Sequence, residues 1–244
     1  MTHPATAPTG RDIPTMVALP GTLCSPAVFD ALAQRLAGRV RLDPISWMTE
    51  DGPWTVPAVA ERRAARLDPD RPVLVLGHST GGAIALQLAV SHPERVAGLL
   101  LVGTGAHMRG HGDVDAIIDR VEREWGPELH DAVLRRSFAT PPSAGFEHVL
   151  RDYAARVPRQ AALDVLRSQR DLDLSSELGR LRMPAVVLHG THDPTRTLDQ
   201  ARELASALPD GELRVVPAGH TPVHETPDQA AAAVLDLCAR ADGR

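Results

Sequence analysis

Short runs of consecutive apolar residues recur along the chain and alternate with stretches of helical periodicity. A run that is apolar at every position is typical of a strand covered on both faces. Six apolar-rich runs predict strands at residues 13–19, 40–45, 72–76, 96–102, 184–188 and 213–216, and the run at 72–76 is apolar at every position. Apolar residues at helical spacing predict helices between Ser25-Pro26 and Gly38, and at residues 57–67, 81–90, 198–208 and 227–240. This alternation predicts an α/β fold with a mostly parallel sheet flanked by helices.

Residues 107–176 depart from this alternation. They hold no strand pattern, and their apolar positions recur at helical spacing, interrupted by Pro141-Pro142 and Pro158. A crossover between parallel strands needs only about a dozen residues. We therefore expect a helical lid inserted at residues 107–176, and a core formed by residues 1–106 and 177–244. The alternative is a set of additional crossover helices.

Length and composition narrow the classes of function. A chain of 244 residues, 43% of them hydrophobic, fits one globular domain with an inserted part. The net charge is -5, aromatic residues make up only 3%, and no basic block is present, so we expect no nucleic-acid partner. The oligomeric state, monomer or homodimer, is left open.

The sequence carries no pattern typical of membrane insertion or export. The longest apolar stretch, near residues 97–102, is too short to cross a bilayer, and residues 1–4 lack the start of a secretory signal. The Thr-, Pro- and Ala-rich residues 1–12 predict a loose arm. Cys24 and Cys238 have no metal-binding or redox spacing, so we expect two free thiols in a cytoplasmic protein and no bound metal. We also expect no cofactor, and a small molecule as the binding partner.

One serine stands between glycines directly after the third predicted strand. Residues 77–81 read G-H-S-T-G, and a helix is predicted to follow. In this strand–turn–helix context, G-x-S-x-G is typical of a nucleophilic serine on a tight turn that tolerates only small neighbours. The free N–H groups at the helix start favour negative charge there. Ser79 is therefore the candidate nucleophile, with a structural glycine-rich turn as the alternative.

A base and an acid can be sought on later loops that follow strands. His220 follows the strand at residues 213–216, and Gly219 lets the loop turn back toward Ser79. His224 is the competing base. Asp193 follows the strand at residues 184–188 and would orient the histidine, and the alternative role of Asp193 is to cap a helix. Asp199 is a less favoured candidate for the acid.

Four separated segments together resemble the α/β-hydrolase superfamily, in particular short serine carboxylesterases and enol-lactonases. They are L-P-G-T-L at 19–23, G-H-S-T-G-G at 77–82, G-T-H-D-P at 190–194, and Gly219-His220 followed by Glu225 and Pro227. The order Ser79, Asp193, His220 is the order of that superfamily's triad. The resemblance implies an oxyanion hole formed by the backbone N–H groups of Thr22 and Thr80.

The chain also departs from the superfamily pattern. Pro20-Gly21 stands where many relatives have His-Gly, and Pro44-Ile45-Ser46-Trp47 replaces a glycine-rich loop. Because few residues precede the first predicted strand, we expect one or both of the usual leading strands to be absent. Cys24 is expected beside the oxyanion loop.

The resemblance implies a serine hydrolase that cleaves an ester, lactone or thioester of a small to medium acid. The same triad also serves lyases, C–C hydrolases and perhydrolases, and some proteins of this fold bind ligands without catalysis. Dehalogenases and epoxide hydrolases are disfavoured because a serine occupies the nucleophile position. The candidate substrate-binding residues are Leu23, Cys24, Trp125, Phe138, Phe146 and Tyr153. For the four aromatic residues, the alternative is that they only hold the lid together.

Overall fold

The computed structural model describes residues 13–243. The arm expected at residues 1–12, and with it the start examined for a secretory signal, lies outside these residues. Within them, strands form at the six predicted places, with bounds that differ from the predicted ones by at most two residues. They are β1 (Thr15–Leu19), β2 (Arg41–Pro44), β3 (Val73–His78), β4 (Val96–Val102), β5 (Ala185–Gly190) and β6 (Gly211–Val216).

These strands form one sheet in the order β2-β1-β3-β4-β5-β6, and each neighbouring pair runs parallel. The predicted parallel sheet is confirmed, whereas the loss of leading strands stays a prediction. The chain leaves β1 toward β2 on one side and returns to β3 on the other, so the strand order reverses at β1. In open α/β sheets, ligands bind beyond the carboxyl ends of the strands at such a reversal. The loops after β1 and β3 therefore lie where a site is expected.

Helices cover both faces of the sheet. Those of the core are α1 (Asp30–Leu36), α2 (Val56–Ala64), α3 (Thr80–Ser91), α8 (Leu198–Ala207), α9 (Pro222–Glu225) and α10 (Pro227–Asp242). Helices α1 and α10 contact each other on one face, and α2 packs against α3 on the other. Between β4 and β5 the chain forms α4 (Val114–Arg123), α5 (Pro127–Arg136), α6 (Ala144–Arg156) and α7 (Arg159–Asp171).

Strand β4 shows how the sheet divides the core. Leu99 and Leu101 belong to a buried cluster with residues of α2, α3 and α8, whereas Leu100 and Val102 belong to a second cluster with residues of α1 and α10. All four side chains are inaccessible to solvent. Successive side chains of a strand point to opposite faces, so an uninterrupted apolar run supplies both clusters at once.

Two predicted helices have different ends in the structure. Ser25 does cap a helical turn by accepting a hydrogen bond from the Ala27 N–H, but that turn is a short 3-10 segment (Pro26–Phe29) that precedes α1. Helix α2 stops at Ala64 rather than residue 67, because the chain tightens there and the Leu67 N–H donates to the Ala64 carbonyl. No helix in the described part of the chain is both long enough and apolar enough to cross a membrane.

Residues 107–176, named the lid segment after the lid that is proposed there, contain α4 to α7, and the helical spacing predicts helices in this segment. Each helix buries one face: in α4, Ile118 and Val121 are buried while Asp115 and Asp119 are exposed. Helix α7 contacts α2, α3 and α4. The segment is therefore packed onto the core along α7 at least.

Candidate active site

Ser79 occupies the sharp turn between β3 and α3. Its backbone has φ 53° and ψ −121°, a positive φ that a residue other than glycine adopts only when its surroundings impose it. The Ser79 N–H donates to the Val102 carbonyl at 2.8 Å, and Thr104 Oγ1 donates to the Ser79 carbonyl at 2.8 Å. These bonds to β4 and the loop after it hold the half-buried serine at the carboxyl edge of the sheet.

The glycines around Ser79 are required by close backbone contacts. A Cβ at Gly81 would lie 2.0 Å from the Leu19 carbonyl oxygen, and one at Gly77 would lie 2.5 Å from the Gly81 carbonyl oxygen. Both distances are far below van der Waals contact. The expectation that this turn tolerates only small neighbours agrees with these distances.

His220 and Asp193 are hydrogen-bonded to each other, although 27 residues separate them. His220 Nδ1 lies 2.8 Å from Asp193 Oδ2, and the Asp193 side chain is inaccessible to solvent. The other carboxylate oxygen accepts the N–H groups of Thr195 at 2.7 Å and Arg196 at 3.0 Å. Burial alone would raise the pKa of Asp193, but the hydrogen bond and charge of His220 and these two N–H groups hold the pKa below its ordinary value. The carboxylate is thus ionised and oriented toward Nδ1.

A second histidine joins the His220 loop to the serine turn. His78 Nε2 lies 2.9 Å from the His220 carbonyl oxygen, so this nitrogen carries the proton and donates it. The two imidazole centroids are 5.2 Å apart. Burial, with the nearby His220, lowers the pKa of His78 to about 3, so the ring is neutral at physiological pH. In the part of the chain that the structure describes, Ser79 Oγ forms no hydrogen bond with His220. In enzymes without substrate, the hydrogen bond between nucleophile and base is often long and tightens only when substrate binds.

Thr22 and Thr80 lie side by side next to Ser79. Thr80 is the first residue of α3, so its N–H has no acceptor within the helix. Thr22 belongs to a turn after β1 that the Cys24 N–H closes by donating to the Gly21 carbonyl at 3.1 Å. The two threonine hydroxyls are hydrogen-bonded at 2.9 Å. The two segments expected to supply the oxyanion hole are therefore joined through their side chains.

The turn after β1 is held by Trp47, which belongs to the segment that replaces the usual glycine-rich loop, and by Met48, which directly follows that segment. The Trp47 indole N–H donates to the Pro20 carbonyl at 2.9 Å, and the Leu23 N–H donates to Met48 Sδ at 3.2 Å. Leu23 has φ 59°, so this turn is also strained. The indole bond supports the Pro20-Gly21 turn, at which many relatives have a histidine.

The competing base and acid lie in other surroundings. The His224 ring stacks on Phe146 at a centroid distance of 4.2 Å and meets Phe138 edge-on at 5.6 Å. Asp199 is in the first turn of α8, its side chain is 89% exposed, and it pairs with Arg202. The described contacts thus bring neither residue to the Asp193–His220 pair.

A sequence model described as the alpha/beta hydrolase family matches residues 16–234. This match spans most of the chain. The chain belongs to the alpha/beta hydrolase family. That membership agrees with the parallel sheet and with the turn that carries Ser79.

Curated relatives and solved structures extend this comparison. A pimeloyl-[acyl-carrier protein] methyl ester esterase of Aromatoleum aromaticum is 28% identical, over 92% of this chain and 98% of the relative. A protein of the same name from Chromobacterium violaceum is 27% identical, over 86% of this chain and 88% of its own length. The crystal structure of the enol-lactonase from Burkholderia xenovorans LB400 superposes with a TM-score of 0.79 at 22% identity, covering 94% of this chain and 92% of that one.

The candidate substrate-binding residues of this alpha/beta hydrolase fall into three groups. Cys24 and Phe138 belong to one buried cluster, against which Phe146 packs. Leu23 and Tyr153 belong to the other buried cluster. Trp125 meets His130 edge-on at 4.7 Å, at the junction of α4 and α5.

The polar groups among these residues are inert at neutral pH. Burial raises the pKa of the Cys24 thiol to about 12, although a hydrogen bond to the Gly21 backbone opposes the rise. Burial likewise raises the pKa of Tyr153 to about 12, although the Ser46 side chain opposes the rise. The Cys24 thiol is therefore protonated at neutral pH and behaves as a small apolar side chain rather than as a nucleophile.

Sequence reasoning missed two side chains that connect the lid segment to this site. Glu225 accepts the Gly219 N–H at 2.9 Å and the Ala139 N–H at 2.7 Å, so one carboxylate joins the His220 loop to the lid segment. Gln169 of α7 accepts a hydrogen bond from Thr80 Oγ1 at 3.1 Å. Glu225 belongs to the segment after Gly219-His220 that resembles the superfamily, but nothing in the sequence pattern indicated its partner in the lid segment. Gln169 carried no signal, because a glutamine in a polar helix reads as an exposed residue.

One buried positive charge lies near the Asp193–His220 pair. Arg196 is 4% exposed, and its guanidinium donates to the His107 carbonyl at 3.0 Å. Burial lowers the pKa of Arg196 to about 10, while Asp193 opposes the shift. Burial, then Arg196 and His220, lower the pKa of His111 to about 4. Arg196 is thus a fixed cation near Asp193, and His111 is neutral at physiological pH.

Proposed function

We propose that this alpha/beta hydrolase is a serine hydrolase that cleaves an ester, lactone or thioester of a small to medium acid. The observation that carries the proposal is the oriented His220–Asp193 pair, whose loop is hydrogen-bonded to the strained turn of Ser79. Two relatives named as methyl ester esterases and a structural neighbour named as an enol-lactonase support carboxylic ester chemistry.

In the proposed first half-reaction, Ser79 Oγ attacks the substrate carbonyl carbon while His220 Nε2 takes the hydroxyl proton. The carbonyl electrons move onto its oxygen, and Asp193 stabilises the imidazolium through Nδ1–H. His220 then gives the proton to the leaving alcohol or thiol as that bond breaks. The product is an acyl-serine.

In the second half-reaction a water molecule replaces the leaving group. His220 takes one proton of the water, the resulting hydroxide attacks the acyl carbon, and the proton returns to Ser79 Oγ as the acid leaves. In both half-reactions the oxyanion would be bound by the N–H groups of Thr22 and Thr80. Loss of one such donor typically costs about 2.7–4 kcal/mol of transition-state stabilisation.

The lid segment is proposed to cover Ser79 and to set substrate choice. A groove between α5 and α6 is lined by apolar residues, among them Leu134, Phe138 and Leu150, and by four charged residues, Asp131, Arg135, Glu147 and Arg151. Phe138 and Leu150 share their buried cluster with Cys24, which follows the proposed oxyanion loop. We propose that an acyl chain contacts the apolar residues of this groove.

Labelling with a fluorophosphonate, followed by turnover of a substrate panel, tests the proposal. The panel contains p-nitrophenyl esters of increasing chain length, lactones, thioesters and methyl esters of carrier-protein-bound acyl groups. We expect labelling and turnover in the parent protein, loss of both in Ser79→Ala, and retention in Ser91→Ala, which changes an exposed serine at the end of α3.

Each other outcome has a definite meaning. Labelling without turnover of any panel member would favour lyase, C–C hydrolase or perhydrolase chemistry on the same triad. Absence of labelling in the folded parent protein would contradict an activated serine and favour a ligand-binding protein.

A further inference from the structure

Gln169 is a buried amide on an otherwise polar stretch of α7. Gln169 is 5% exposed, whereas the next two residues of the helix, Arg170 and Asp171, are exposed. The preceding residue, Ser168, accepts the Val56 N–H at the start of α2 at 2.9 Å. Two consecutive side chains thus fasten α7 to α2 and α3. A buried amide needs a hydrogen-bond partner, and here the partner is Thr80.

The hydrogen bonds at Thr80 have one consistent direction. A threonine hydroxyl has a single proton, and Thr80 Oγ1 donates it to Gln169 Oε1 at 3.1 Å. The 2.9 Å contact between the two threonine hydroxyls must then be donated by Thr22. Gln169 therefore orders a chain that runs from Thr22 through Thr80 to the lid segment.

We propose that Gln169 is a positioning residue for the oxyanion hole, because its carbonyl orders the hydroxyl chain that joins the Thr22 and Thr80 segments. This inference rests on the proposed function of those two backbone N–H groups. Thr22 and Thr80 are 58 residues apart and lie on different segments, so the hydroxyl contact contributes to the spacing of the two donors by joining these segments directly. An error of about 1 Å in such spacing can cost about a hundredfold in rate.

The neutral charge of Gln169 is also part of the inference. A glutamate would accept the same hydrogen bond from Thr80 with nearly the same shape. Its negative charge, however, would lie beside the position where the substrate oxygen becomes negative. A buried glutamine accepts the hydroxyl without opposing that charge.

Two substitutions separate positioning from simple packing. Gln169→Leu removes the acceptor while filling similar space, and we expect kcat to fall by about ten- to a hundredfold with KM nearly unchanged, as for an interaction made in the transition state. Gln169→Glu keeps the acceptor, and the measured quantity is the ratio of its kcat to the kcat of the parent protein at each pH. We expect this ratio to fall by about tenfold or more as rising pH ionises the new carboxyl. The ratio removes the pH dependence that both proteins share.

Gln160→Glu is the matched control, since it makes the same change at an exposed position of α7. Its ratio to the parent protein should not change with pH. If Gln169→Leu keeps the parental kcat, or if the Gln169→Glu ratio is independent of pH, the inference is wrong.

Thr80→Val removes the same hydrogen bond from the other side and decides the matter if a Gln169 variant does not fold. It should reproduce the fall in kcat, whereas Thr80→Ser, which keeps the hydroxyl, should restore most of the rate. A Thr80→Val protein with parental kcat would overturn the inference. Fluorophosphonate labelling of the parent protein is measured in parallel. If the parent protein is labelled and active but the Gln169 and Thr80 variants keep its kcat, only the role of Gln169 is refuted. If the parent protein is not labelled, the proposed serine chemistry itself is refuted.

Discussion

Asp193→Asn changes one atom in the fully buried acid of the proposed triad. In the parent structure, Oδ1 accepts the N–H groups of Thr195 and Arg196, and Oδ2 faces His220 Nδ1 at 2.8 Å. An asparagine would keep its oxygen on the two N–H groups, since turning its amide toward them would lose both bonds. The amide NH₂ would then face His220.

That arrangement imposes the wrong tautomer on the base. An NH₂ donor facing Nδ1 requires Nδ1 to be the acceptor, so the ring proton moves to Nε2. Nε2 could then no longer take the Ser79 proton. In serine proteases the same change lowers kcat by about 10⁴-fold, which is about 5.4 kcal/mol of barrier at roughly 1.36 kcal/mol per factor of ten. We expect a loss of that order here.

The assay is steady-state turnover of the best ester of the panel, combined with ¹⁵N NMR of the His220 ring. Asp199→Asn serves as the control, because Asp199 is 89% exposed and pairs only with Arg202 among the ion pairs of the described residues. Its turnover should match that of the parent protein. A loss of tenfold or less in a folded Asp193→Asn protein, or an Nδ1–H tautomer in its spectrum, would refute the reasoning.

Three further outcomes are expected. His78 is protonated near pH 6.5 in the unfolded chain but only near pH 3 in the folded protein, so the free energy of unfolding falls as the pH falls between these values. Between pH 6 and pH 5, denaturant titrations should show that His78→Gln loses about 1 kcal/mol less of this free energy than the parent protein does, and equal losses would contradict the buried neutral ring. Gly81→Ala should lower the free energy of unfolding by about 2 kcal/mol or more, because the new Cβ would lie 2.0 Å from a carbonyl oxygen. Gly145→Ala places its Cβ in open space and should change that free energy by under about 1 kcal/mol, so equal effects of the two substitutions would refute the packing argument. Phe138→Ala should change the ratio of kcat/KM between short and long acyl esters, whereas Trp125→Ala should change only the melting temperature, because the Trp125 ring packs on a histidine of the lid segment. If the ratio is the same as in the parent protein for both variants, neither residue has a role in the pocket.

The strands, the core helices and the candidate nucleophile could be predicted from the sequence because their signals are local. An uninterrupted apolar run such as that of β4 is explained by burial on both faces, whatever its neighbours are. Gly77 and Gly81 marked a turn without room for side chains, and the clashes that a Cβ would make there have the same cause. The helix ends were less predictable, as at α2, because the last turn tightens by i→i+3 bonds that no single residue type signals.

The contacts that assemble the candidate site were decided by tertiary structure alone. His220 and His224 both follow β6, and only the packing of the loop directs one imidazole to Asp193 and the other to Phe146. The bonds from Thr80 to Gln169 and from His78 to His220 join residues 89 and 142 positions apart. A single sequence contains no periodicity that links such positions, because their distance depends on how the crossovers and the lid segment pack over the sheet. The sequence determined which groups could do the chemistry, and the fold determined which of them meet.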